Sequence, residues 1–99
     1  MITYEVTATV REDLRKRYEV YMRERHIPDL LLTGLFAGAQ FLRDDEGRFR
    51  ARYELVDRAA LERYLGTHAA RLRADFEAHF PDGVTVHREI WSGLMQWPH

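Results

Sequence analysis

The chain contains no cysteine. That excludes disulfides, zinc–thiolate centres, iron–sulfur clusters and thiol nucleophiles. It also lacks an excess of either charge. Fifteen Lys and Arg against sixteen Asp and Glu give a net charge of −1. Such a balance offers no electrostatic footprint to nucleic acid or to an anionic membrane. No apolar run is long enough for a membrane helix. The first residues are not a basic-then-apolar leader, and the cytoplasm is the expected location. Lysine is nearly missing: Lys16 is the only one, and the other basic residues are arginines. There is no internal repeat, linker or low-complexity stretch.

What is present is the composition of a globular protein, 45% apolar and 31% charged. Residues 1–99 make one small domain. A chain of this size buries only about two-thirds of its unfolded surface, so a second copy is a useful source of extra core.

Met1 to Val10 alternates. Ile2, Tyr4, Val6, Ala8 and Val10 point one way, and Thr3, Glu5, Thr7 and Thr9 the other. That is a half-buried strand. Leu14, Tyr18, Tyr21 and Met22 then form the apolar stripe of a helix opened by Glu12 and Asp13. Pro28 should end that helix near His26 and open a short second one through Leu32, with Gly34 as a left-handed stop. Leu35 to Arg43 and Arg48 to Val56 read as strands joined by the turn Asp44-Asp45-Glu46-Gly47. Asp57 caps a helix bearing Leu61, Tyr64 and Leu65. Gly66-Thr67 should stop it and recap another bearing Ala69, Leu72, Phe76 and Phe80. Val84 to Trp91 is the last strand.

The order β-α-β-β-α-β predicts an α+β ferredoxin-like plait, an antiparallel sheet in the order 4-1-3-2 with helices on one face. The apolar sets suit the covered face. The other face carries Glu5, Arg50, Arg52, His87, Glu89 and Trp91 among several threonines, and either Gln40 or Phe41 joins it. Glu5 should lie near Arg50 or Arg52 on one side and near His87 or Glu89 on the other. This face either meets water or packs on a second copy, closing a polar-lined barrel. The large apolar groups Trp91, Leu94, Met95 and Trp97 favour a partner, or else cap the chain's own helices.

Several blocks match a known pattern: Met1-Ile2-Thr3-Tyr4-Glu5-Val6, Tyr21-Met22, His26-Ile27-Pro28, Thr33-Gly34-Leu35-Phe36, Tyr53-Glu54, Tyr64-Leu65, His68-Ala69 and Leu72-Arg73. They resemble an uncharacterised bacterial domain-of-unknown-function family. The resemblance covers most of the chain and implies the dimeric α/β-barrel superfamily. That superfamily holds cofactor-independent monooxygenases, muconolactone-type isomerases, polyketide cyclases, EthD-like proteins and haem-degrading enzymes. It implies no particular reaction.

Two constellations are candidates for chemistry. His26, at the expected helix end, would have its imidazolium favoured by the dipole and could serve as a general acid or base. The alternative is a histidine that merely caps the Pro28 turn. Glu5, Arg52, His87 and Glu89 could abstract a proton next to a carbonyl, or be an ion-pair ladder between two sheets. His26, Glu5 and His87 are thus the candidate catalytic residues, and Phe36, Arg52, Glu89 and Trp91 the candidate substrate contacts, around one pocket. His68 should face outward, His79 should be partly buried packing on the Phe76/Phe80 side, and His99 is uninformative.

No pair of histidines stands four apart on a helix, and Gly34 and Gly38 precede a strand and not a helix. No metal or cofactor is therefore expected, with haem through His26, His68 or His87 kept as an alternative. RNA stacking on the sheet is disfavoured because Phe49 and Tyr53 fall on the covered face. The expected protein is a homodimer that binds a small molecule. It would act as a cofactor-independent cyclase, isomerase or monooxygenase on a cyclic or polyketide-like carbonyl compound. The alternatives are a non-catalytic assembly module and a haem-binding protein.

Overall fold

The computed structural model describes residues 1–98, and His99 lies outside the described residues. Strands β1 (Ile2–Val10), β2 (Gly38–Arg43), β3 (Arg48–Leu55) and β4 (Val84–Ser92) form one sheet. Its order is β2-β3-β1-β4 and every neighbouring pair is antiparallel. This is the expected ferredoxin-like plait. Helices α1 (Arg15–Tyr21), α2 (Ile27–Leu31), α3 (Arg58–Thr67) and α4 (Ala69–His79) cover one face. The alternation along β3 decides which face: Phe49, Ala51, Tyr53 and Leu55 are buried, and the residues between them are exposed. Gln40 is exposed opposite Arg52, whereas Phe41 stacks on Phe49, so Gln40 is the one that joins the open face.

The first helical region differs from the expectation. The helix does not end near His26. A short 3-10 turn at Glu12–Leu14 leads into α1, a π-helical turn spans Met22–His26, and α2 follows without a break. The cause is Pro28. In an unbroken α-helix its ring would collide with the carbonyl four residues back, and it has no N–H to donate. The π turn absorbs one extra residue, and the Ile27 N–H bonds back to Met22 O. Gly34 stops the region as expected, at φ 77°.

Two further expectations are corrected. β2 begins at Gly38 rather than Leu35, because Leu35 and Phe36 turn inward against the core before the pairing starts. Gly66-Thr67 is not a stop either. Both residues lie inside α3, and His68 alone forms the joint to α4, at φ −117°. Backbone bonds bridge that joint, from His68 N to Tyr64 O and from Leu72 N to His68 O. Other local signals behaved as read. The Asp57 carboxylate accepts from Ala60 N at 2.9 Å, and Gly47 closes the hairpin at φ 84°. Trp91, Leu94, Met95 and Trp97 are all exposed, so the tail does not cap the chain's own helices. No helix among the described residues is long and apolar enough to cross a membrane.

Candidate functional site

The residues expected around one pocket divide between two sides of the sheet. On the open face Glu5 is buried, although it stands on a surface. Its cross-strand partners are Arg52 and Glu89. Arg52 Nε lies 2.8 Å from Glu5 Oε2, and Arg50 Nε lies 3.8 Å from Oε1. These are the neighbours the alternation required. His87 pairs with Thr7, and its Nε2 is 3.9 Å from Glu89. An open depression of about 360 Å³ runs over Thr3, Glu5, Arg50, Arg52, Glu89 and Trp91. His87 does not line it. The ion pairs within it are modest stabilisers, since their arginine partners are half exposed.

Phe36 lies on the other side, under the helices, and His26 stands in the helical layer itself. Phe36 packs on Tyr53 and Tyr64, with ring centroids 5.4 and 5.0 Å away. His26 closes the π turn, which holds its ring 5.8 Å from both Tyr21 and Phe76. A cavity of about 30 Å³ lies there, between β1, β3 and β4 below and the helices above. That is room for a water-sized group. Tyr4, His26, Tyr53, Tyr64, Arg73 and Arg88 supply its polar lining.

Two buried side-chain atoms among the described residues have no hydrogen-bond partner, His26 Nδ1 and the Tyr53 hydroxyl. Both residues line this cavity. Buried polar groups are normally paired, and each orphan costs free energy, so two on residues lining one cavity point to a site that a ligand or water completes. On the open face, by contrast, Glu5 is already paired.

The electrostatics correct a second expectation about His26. The dipole of a helix end was to favour its charged form. Since the helix runs on through α2, His26 is not at an end, and burial instead lowers its pKa to about 4. Nearby Asp29 and Asp75 oppose that shift without overcoming it. At neutral pH the ring is neutral, able to donate from one nitrogen and accept at the other. Burial also pushes the Tyr64 phenol up to about 12 and Tyr53 well above the ordinary phenol value. Both phenols stay protonated and act as donors.

A clamp fixes the π turn. Arg25 donates to both carboxylate oxygens of Asp75, at 2.9 and 2.7 Å, and the Tyr21 hydroxyl donates to Oδ2 at 2.7 Å. These bonds, Arg25 first, hold the Asp75 pKa below its ordinary value. The clamp ties the residue next to His26 to α4. His79 is more exposed than expected, but its ring packs 4.7 Å from that of Tyr21 and its Nδ1 bonds Asp75 O. His68 is half-buried, not outward, with Nδ1 3.2 Å from Arg71 Nη2. As it stands, the 30 Å³ beside His26 holds neither a porphyrin nor a smaller aromatic ring, and either needs the walls to move.

Arg73, Arg88, Tyr4 and Tyr64 were missed as site residues. One signal was available: Arg88 interrupts the apolar set Val84, Val86 and Ile90 on the covered side of β4. Tyr4 and Tyr53, directly paired across β1 and β3, were another.

A family model described as Domain of unknown function (DUF4286) matches residues 1–93. No curated protein matches the chain. Among solved structures, a point mutant of SnoaB from Streptomyces nogalater, a cofactor-independent oxygenase, superposes with a TM-score of 0.75 at 16% identity. That match covers 99% of this chain and 97% of SnoaB. A structure described as an antibiotic biosynthesis monooxygenase has a TM-score of 0.68 at 20% identity, covering 96% of this chain and all of the other. Rv0793 from Mycobacterium tuberculosis has a TM-score of 0.67 at 13% identity, covering 98% and 99%. At such identities the likeness is one of fold.

Proposed function

Because the chain belongs to the DUF4286 family, whose name carries no activity, we propose its function from the covered pocket. It binds a small cyclic compound bearing an enolisable carbonyl or a phenol, and moves a proton on it. One observation carries this reading: the two orphaned polar atoms, His26 Nδ1 and the Tyr53 hydroxyl, belong to residues that line the same cavity. A ligand oxygen placed there receives a hydrogen bond from Tyr53, which stabilises it as negative charge develops. His26, neutral at the outset, accepts the proton from carbon or hydroxyl. The resulting enolate can be reprotonated elsewhere, giving an isomerisation, or can react with dioxygen. The cofactor-independent oxygenase SnoaB, which shares the fold, favours the second outcome. The ligand body needs more room than the cavity offers. Met22, unbranched and flexible, is the wall best able to yield.

The test is hydrogen–deuterium exchange at the α-carbon of 1-indanone in D₂O. The protein should accelerate exchange above the buffer rate, and His26→Gln should abolish the excess. Exchange at the buffer rate with the wild-type protein would refute the reading.

The open face supports a homodimer. Glu5, Glu54 and Glu89 alternate with Arg50, Arg52 and His87, so a two-fold copy can match acid to base. Trp91, Leu94, Met95 and Trp97 beside it are too exposed for a lone subunit. In this reading residues 1–99 act as one cytoplasmic domain, and the polar face is an interface instead of the active site. Sedimentation at micromolar concentration should show a dimer, which Trp91→Ser and Trp97→Ser together weaken. A monomeric wild-type protein refutes it.

A further inference from the structure

The covered pocket has an unbalanced charge. Two guanidinium groups, Arg73 from α4 and Arg88 from β4, line it, and no Asp or Glu does. Neither arginine forms an ion pair among the described residues. Arg73 Nη2 donates to the Tyr4 hydroxyl at 3.1 Å, which fixes the fork and leaves its other donors unused. Arg88 sits opposite Val6 and is exposed, so it marks the solvent side of the pocket.

Arg73 is half-buried and Arg88 exposed, so water can reach both, and both are free to take an anionic ligand. The acids near His26 do not pair with them. Asp75 is bound by Arg25 and Tyr21, and Asp29 is not among the lining residues. The charged lining is therefore wholly positive, and the rest of the polar lining, the orphaned imidazole and phenol included, is neutral at pH 7. Planar guanidinium forks match carboxylates in charge and shape.

We infer that the ligand is a small planar monocarboxylate. Its carboxylate sits against Arg73 and Arg88, and a hydroxyl or carbonyl oxygen reaches inward to His26 Nδ1 and the Tyr53 hydroxyl. This inference rests on the proposed function, and it adds the ligand's charge and orientation to that reading.

Calorimetric titration with salicylate and salicylamide tests it, since the pair differs in charge and little else. Salicylate should bind about tenfold or more tightly than the amide, as expected for charge-assisted bonds. Arg88→Gln should bring the two within about twofold, and Arg88→Lys should restore part of the gap. Thermal melts of both variants check that they fold. Equal binding of the two compounds to the wild-type protein overturns the carboxylate seat and leaves the pocket reading standing. A preference unchanged in Arg88→Gln overturns the seat as drawn. Failure of both to bind at millimolar concentration overturns the seat and the pocket reading together.

Discussion

On β1, Tyr4 and Glu5 are neighbours in sequence and stand on opposite sides of one sheet. Tyr4 joins a face roofed by helices, where Tyr53, Tyr64 and His26 leave a small cavity with two unpaired polar atoms. Glu5 joins a face without a roof, yet it is buried there by Arg50, Arg52 and Glu89. The covered side is apolar with its polar needs unmet. The open side is charged, and the acid buried there, Glu5, is already paired with Arg52. Charge density is therefore a poor guide to a site, and incomplete pairing under cover is a better one.

The contrast can be broken first through packing. Leu55, fully buried on the covered side of β3, should cost about 2–5 kcal/mol when changed to Ala. Glu54→Ala, one residue away on the open side, should stay within about 0.5 kcal/mol. Denaturant midpoints measure both, and equal losses would erase the distinction between the faces.

Acid separates the two sides next. The His26 pKa falls from 6.5 to about 4 on folding, so the unfolded chain binds more protons between those values. The stabilising effect of a neutral His26 is present in full above pH 6.5 and is lost as pH falls towards 4, at a cost of roughly 3 kcal/mol. His26→Gln should flatten that part of the stability profile.

The two smaller effects carry opposite signs. Glu5→Gln breaks the pair with Arg52, and should cost about 1 kcal/mol because Arg52 is half exposed. It should weaken subunit association as well. Tyr53→Phe removes a hydroxyl that has no partner, so the free protein should gain up to about 1 kcal/mol while losing affinity for salicylate. Thermal melts with and without salicylate separate the two.

Much of this was legible in the residues. Period-2 alternation in Ile2–Val10 and Arg48–Leu55 gave the sheet and both its faces, and placed Glu5 beside Arg52. The π turn was not legible. Pro28 reads locally as a break, and only packing against α4, with the Arg25–Asp75 clamp, makes continuation the better solution. That one difference moved His26 from a helix end to a half-buried pocket wall and reversed its pKa shift. The pocket was hidden for a related reason. Tyrosines at apolar positions read as core, and which hydroxyl lacks a partner depends on distances that spacing does not encode.

An NMR titration of the His26 imidazole, alone and with salicylate, reaches the covered pocket without an intermediary. Half-protonation should fall near pH 4 in the free protein and move upward when the ligand's carboxylate neutralises Arg88, whose charge helps to hold it down. A midpoint near the ordinary 6.5 that salicylate leaves unchanged would contradict the buried, ligand-completed site.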